Sequence, residues 1–337
     1  MKRASGIWAT TEAEGARTIS YLEVNRSFTW RRATTFIWIV LCALMGLLLG
    51  CERAVEPLHH RKGDFILGSS THSFLDVLYL DDASWWPVYR TNKPLTEHIK
   101  GAVFDPQKGF YYIALVRPSR IVRFDPKNEK EVKIYGDRTG APLKALQISE
   151  DRAFLYFVDG KGVRRLNLDT GDSEGVLPHG EDEVLRIDMP KTGRSMGVGR
   201  KSGVYLFDLA TNETTLVRFG AYLKGVSPDG RRVLCGDNGR LIIHRLTASG
   251  TSGSFEVPGF AAEDEFLFFL SATELVYNKT VPDFFTARRT PVAMYVYDLT
   301  TGSRTKVRDR PMDYVWFLGH EPNKKLLGKW ELSEGSE

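Results

Sequence analysis

A single phrase returns along most of this chain, and the recurrence limits its fold more than any other feature. It reads VRFDPKNEKEVKIY from Val122, RLNLDTGDSEGVL from Arg165, YLFDLATNETTLVRF from Tyr205 and YVYDLTTGSRTKVR from Tyr295. Each copy is an alternating apolar strand, an Asp, a Thr/Asn/Gly turn and a second strand. Asp suits such a turn because its carboxylate caps nearby backbone N–H groups, and Gly because it accepts positive φ. Weaker copies are YLDDASWWPVYR from Tyr79 and IIHRLTASGTSGSFEV from Ile242.

A second phrase alternates with the first: a turn, then an apolar strand. It reads FDPQKGFYYIAL from Phe104, ISEDRAFLYFV from Ile148, MPKTGRSMGV from Met189, SPDGRRVLC from Ser227, LSATELVY from Leu270 and LGHEPNKKLLGKW from Leu318. Asp82, Asp125, Asp169, Asp208, Arg245 (in the Asp position) and Asp298 are 43, 44, 39, 37 and 53 apart. Repeats of about 40–45 residues with four short strands each are propeller blades. The expected fold is therefore an all-β propeller of about six four-stranded blades. The two phrases run out of phase. The chain would enter at an outer hairpin over 74–90 and leave on an inner hairpin over 315–331, which would complete the first blade and remove exposed sheet edges. GDFILGSS at 63–70 leaves room for a seventh blade.

SPDGRRVLC, followed by a strand and an LDTG-type turn, resembles the TolB-like and related WD-like propeller repeats of bacterial envelope proteins. The likeness covers residues 65–331 as an architecture. At motif level it rests on Ser227–Cys235 and the DLT, DLA and LDT turns, and no WD dipeptide is present.

Upstream of the repeats the chain changes character. Residues 1–32 are a polar lead. Residues 33–50, ATTFIWIVLCALMGLLLG, carry no charge and follow Arg31-Arg32, as the apolar part of an export signal would. At about 1.5 Å per residue the same run would just span a bilayer as a helix. Either way the positive flank places the N-terminus in the cytoplasm. Leu48-Leu49-Gly50-Cys51 resembles the bacterial lipobox, which implies diacylglyceryl transfer to Cys51 and cleavage before it. The alternative reading of Cys51 is the end of an uncleaved signal-anchor helix. The lead is long for a signal, and Val24 would give a start of ordinary length. Residues 52–62, ERAVEPLHHRK, read as a tether, and 63–337 as the propeller.

Charge narrows the partners. The net charge is +4, of which the first 51 residues carry +3, so the body is close to neutral. That is not the footprint of a nucleic-acid binder. Of three cysteines only Cys235 lies in the body, where a buried small hydrophobe is expected, so the fold holds by packing.

No catalytic motif is present: no HExxH, CxxC, Walker loop or GxSxG, and no cofactor or metal set stands out. GVGRKSG at Gly197–Gly203 reads as a tight turn, as does CGDNG at Cys235–Gly239, although Asp237 and Asn238 are calcium-ligand types. The seven histidines are scattered. What remains is positional. The loops expected on one face carry Arg117 and Arg120, Lys161 and Arg164, Arg200 and Lys201, Arg240, and Lys279, Arg288 and Arg289. Such a face would concentrate an anionic partner. The stretch Asn278–Ala293 accounts for the long last spacing and sets Phe284 and Phe285 beside Arg288 and Arg289, residue types enriched at interface hot spots. The expectation is a non-catalytic binding or scaffold protein of the bacterial cell envelope, anchored with its propeller on the outer side. Its partner would be an envelope protein or an anionic ligand. The alternative is a propeller hydrolase or lyase with a metal in the central channel.

Overall fold

The computed structural model describes residues 63–69, 71–136, 141–180, 182–191, 193–247, 250–257, 265–282, 289–309, 311–312 and 314–320. Contacts divide the chain into Met1–Ala54 and Val55–Glu337, and every described residue belongs to the second unit. Cys51, Phe284, Phe285 and Arg288 lie outside the described residues.

Among the described residues there are twenty-four strands in six four-stranded antiparallel sheets. Blade 1 joins β1 (Asp64–Ser69), β2 (Phe74–Tyr79) and β3 (Trp85–Arg90) to β24 (Tyr314–His320). Blade 2 is β4 (His98–Asp105) to β7 (Lys130–Gly136), with β5 (Phe110–Val116) and β6 (Arg120–Asp125) between. Blade 3 holds β8 (Lys144–Ile148), β9 (Phe154–Asp159), β10 (Gly162–Asn167) and β11 (Ser173–Pro178). Blade 4 holds β12 (Val184–Asp188), β13 (Ser195–Arg200), β14 (Gly203–Asp208) and β15 (Thr214–Phe219). Blade 5 holds β16 (Tyr222–Val226), β17 (Arg232–Asp237), β18 (Arg240–Thr247) and β19 (Gly250–Glu256). Blade 6 holds β20 (Glu265–Phe269), β21 (Glu274–Pro282), β22 (Arg289–Asp298) and β23 (Arg304–Arg308). The strands β24, β4, β8, β12, β16 and β20 touch one another in that circular order and form the inner wall. The expected six blades are present.

The expected phase is corrected. The chain enters on β1, the second strand of blade 1, and β24 alone closes the ring as its innermost strand. GDFILGSS is thus no seventh blade. Phe65, Ile66 and Leu67 are fully buried because β1 lies between β2 and β24 with blades on both faces. Gly68 sits where β1 meets β24. A Cβ there would collide with the Tyr314 backbone carbonyl oxygen of β24, so only glycine lets the closing strand approach.

Turn chemistry explains the two phrases. The Asp208 carboxylate accepts from the Ala210 and Thr211 N–H groups at 2.8 and 3.0 Å, and Asp298 accepts from Thr300 and Thr301 in the same way. In blade 3 the cap is Asn167, which accepts from Asp169 and Thr170, so Asp169 is not the equivalent residue. The second phrase is a serine clasp. The Ser227 hydroxyl donates to Asp229 at 2.6 Å and accepts from the Arg232 N–H at 2.9 Å; Ser149, Asp151 and Phe154 repeat this in blade 3. Blades pack through apolar faces, as where Phe65, Leu67 and Tyr79 of blade 1 meet Phe104 and Tyr111 of blade 2.

One irregularity is sixfold. Every inner strand carries a one-residue bulge against its neighbour, at Lys100, Ala145, Leu185, Lys224, Leu267 and Trp316. Every outer strand carries one too, at Val88, Ile134, Val176, Val217, Ser252 and Val307. A bulge bends its strand, tightens the local twist and re-aims the extra side chain.

Candidate functional site: the central channel and its basic mouth

The inner strands enclose a cavity of about 670 Å³. The bulges decide what it sees, since Lys100, Lys224 and Trp316 are bulged residues on its wall. Arg186, Phe268 and Tyr314 line it as well, with Glu150, Arg152, Asp188 and Lys191. Lys100 and Lys224 belong to β4 and β16, three places apart either way around the ring and therefore on opposite walls. Asp188 accepts from the Val226 N–H at 2.7 Å. Desolvation raises its pKa, against the pull of Arg186 and its backbone bonds.

At the end where the inner strands begin, blades 1 and 2 bring a basic cluster together. His72, in the loop between β1 and β2, stacks on His98 with ring centroids 5.0 Å apart and planes 5° from parallel. The His72 carbonyl accepts from the Ile99 N–H at 2.8 Å, which fixes this loop against β4. The same imidazole lies 5.5 Å from Tyr314, and Tyr314 stacks on Trp316 at 5.9 Å. Lys100 Nζ stands 5.5 Å from the centre of the Tyr314 ring. Four rings thus run from His98 to Trp316 beside Lys100. The His98 pKa is lowered, first by desolvation and then by His72, Arg117 and Lys100. The charged groups acting on His98 all carry, or titrate to, positive charge.

The cationic loop residues separate into distinct roles. Arg117 is exposed, has φ of +64° and acts on His98. Arg120 faces inward: its guanidinium donates to both oxygens of Glu97 at 3.1 and 3.4 Å and lies 3.9 Å from Glu131. Tyr89 donates to Glu131 at 2.5 Å, and burial followed by that bond pushes its phenol pKa up. Arg200 donates to the His179 carbonyl at 2.7 Å and to the Asp182 carbonyl, stapling the loop before β12. Lys201 is exposed and pairs with Glu183 at 3.0 Å. Lys144 and then Lys201 lower the Glu183 carboxyl to about 2. Arg164 and Arg240 meet Asp159 and Glu256 at 3.5 Å each. Arg120 and Arg200 are thus bound to their own scaffold, whereas Arg117 stands at the channel mouth.

The stretch Asn278–Ala293 is partly strand rather than loop. Asn278 to Pro282 pair with Met294 to Arg289, which lengthens the middle hairpin of blade 6. Asn278 is fully buried and donates to the Met312 carbonyl at 2.7 Å, so its role is to hold the chain before the closing strand. Cys235 is fully buried, and desolvation raises its thiol pKa to about 12, which keeps it an unreactive thiol. Asp237 accepts from Arg218 at 2.7 and 3.2 Å. Among the described residues, no three of His, Cys, Asp and Glu gather where a metal could be held.

Sequence reasoning reached Arg117 but passed over His72, His98, Lys100, Arg186, Tyr314 and Trp316. One signal was present: Ile99-Lys100-Gly101 recurs as Leu223-Lys224-Gly225 on the opposite inner strand. In the first, a Cβ on Gly101 would stand 2.9 Å from the Leu146 Cβ, so the glycine lets blade 3 close beside the bulged lysine.

No family model matches the sequence, and no curated protein matches it. The fold is similar to solved propellers. A chain from the crystal structure of a nidogen/laminin complex superposes with a TM-score of 0.57 at 11% identity, over 75% of this chain and 97% of that one. A structure assigned as TolB from Agrobacterium tumefaciens superposes with a TM-score of 0.52 at 16% identity, over 75% of this chain and 92% of that one. The likeness is one of fold: a six-bladed, TolB-like propeller.

Proposed function

We propose that this chain is an exported, membrane-anchored propeller that serves as a non-catalytic binding protein of the bacterial cell envelope and takes an anionic ligand at the channel mouth between blades 1 and 2. The observation that carries this reading is the cluster at the mouth, where His98 stacks on His72 at 5.0 Å, Lys100 lies 5.5 Å over Tyr314, and Lys100 and Arg117 both act on His98. Cations held close on a rigid wall are preorganised for an anion, which relieves their mutual repulsion on binding. A binding role is favoured over metal-dependent hydrolysis by the cations and aromatic rings of the wall; its carboxylates Glu150 and Asp188 are not joined by a third metal-ligand type among the described residues. Export and anchoring are supported by Arg31-Arg32, the uncharged run that follows and the Leu-Leu-Gly-Cys ending at Cys51, and the TolB-like fold suits an envelope protein.

The test has two arms. Membrane fractionation with intact-mass analysis should find the chain in the membrane fraction, cut before Cys51 and carrying a diacylglyceryl group. A mature soluble species would refute the anchor. Inorganic pyrophosphate should raise the melting temperature of the full chain in detergent, and Lys100→Gln with Arg117→Gln should abolish the rise. An equal rise in the variant would refute the mouth as the anion site.

A further inference from the structure

We propose that the group recognised at this mouth is an anion joined directly to a flat ring, the chemistry of an aryl phosphate. The inference rests on the anion-binding reading above and adds to it the second half of the ligand. The anion would sit at Lys100, beside the His98 imidazole and Arg117. The ring would enter the cavity against Trp316.

Two features of the wall carry the ring. First, the aromatic run is oriented rather than jumbled. His98 lies on His72 and Tyr314 on Trp316, each pair within 5° of parallel, and Trp316 ends the run on the cavity wall. A half-buried indole at the end of a stack offers a face on which a further planar ring gains stacking without preference for its substituents. Second, the chain places this face deliberately. Trp316 is the bulged residue of β24, where the extra residue turns a side chain out of the ladder, while its neighbour Val315 is buried between the blades. Tyr314 remains 38% exposed, so the run of rings reaches the surface at the mouth. Charge and ring positions also agree in scale. Lys100 lies over Tyr314, one ring along from Trp316, so an anion and a ring attached directly to it would meet both. A cavity of about 670 Å³ falls within the ordinary range for small-molecule sites, roughly 300–1,000 Å³.

The experiment is isothermal titration calorimetry on the full chain in detergent with inorganic phosphate, glucose 6-phosphate and phenyl phosphate. Phenyl phosphate should bind at least tenfold more tightly than inorganic phosphate. Glucose 6-phosphate, which carries a saturated ring, should gain less than threefold. Lys100→Gln should weaken all three. Trp316→Leu should remove the phenyl advantage and leave inorganic phosphate unchanged, and Trp316→Phe should keep most of it, which separates loss of a platform from loss of fold. If phosphate binds through Lys100 with no phenyl advantage, the flat ring is refuted while anion binding stands. Equal gains for glucose 6-phosphate and phenyl phosphate would also refute it. If none of the three binds through Lys100, both readings fall.

Discussion

Arg120→Met is the substitution that best separates a scaffold cation from a ligand cation. Arg120 stands on the expected cationic face, yet its side chain is only 14% exposed and that of its partner Glu97 only 5%. The pair is two-pronged, at 3.1 and 3.4 Å, and Glu131 with Tyr89 completes the network. Methionine fills most of the volume but leaves Glu97 charged, buried and alone. Breaking a buried pair from one side costs about 3–5 kcal/mol. At roughly 2 °C per kcal/mol for a domain of this size, the melting temperature should fall by about 6–10 °C. Urea unfolding followed by tryptophan fluorescence measures the loss directly. Adding Glu97→Gln should restore a large part of it, since the orphaned charge rather than the missing contact dominates. A loss below about 1 kcal/mol, or no recovery in the double variant, would refute the reasoning and return Arg120 to the ligand-binding candidates.

Gly68→Ala should destabilise the closed ring by about 1–3 kcal/mol through overpacking, because the added carbon meets the Tyr314 backbone carbonyl at the seam with β24; thermal unfolding reads it. Replacing Ser149 and Ser227 with Ala should cost about 1–2 kcal/mol per clasp at neutral pH, since each hydroxyl bonds a buried turn. The clasps also set an acid dependence. The Ser149 hydroxyl and Ala153 N–H lower the Asp151 pKa; at Asp229 burial raises it, but the Ser227 hydroxyl and Arg231 N–H bring it below the usual value. Their contribution is present above the unfolded Asp value of about 3.9 and lost as pH falls through the lower folded values. The double Ser variant should therefore show a shallower fall in stability below pH 4, and an unchanged slope would refute the assignment.

Blade number was legible because it is written locally. Each outer hairpin must turn within a few residues, and Asp208 or Asp298 supplies that turn wherever it stands. Phase was not, because closure joins β1 to β24 across almost the whole domain and no local pattern marks DFILGS as the partner of YVWFLGH. Asn167 was overlooked for a chemical reason: an amide oxygen caps a turn as a carboxylate does, so attention to Asp alone moved the cap two residues along. The channel wall was hidden for a third reason. Alternation predicts which face of a strand is buried, but a bulge breaks alternation at one residue, and Lys100 and Trp316 owe their positions to that break. The histidines looked scattered at 72 and 98 because a propeller brings a loop of one blade over the first residues of the next inner strand.

Because β24 follows every other strand of the ring in the chain, the aromatic face is the last part of the mouth to be made. A chain emerging from the ribosome presents His72, His98, Lys100 and Arg117 well before Tyr314 and Trp316 arrive. Until then the basic residues border an open gap between blades 6 and 1. Arrival of one strand therefore closes the ring and finishes the mouth in the same step. A chain without this strand has the charges without the aromatic platform, so the order of its own residues makes the two halves of the mouth in sequence.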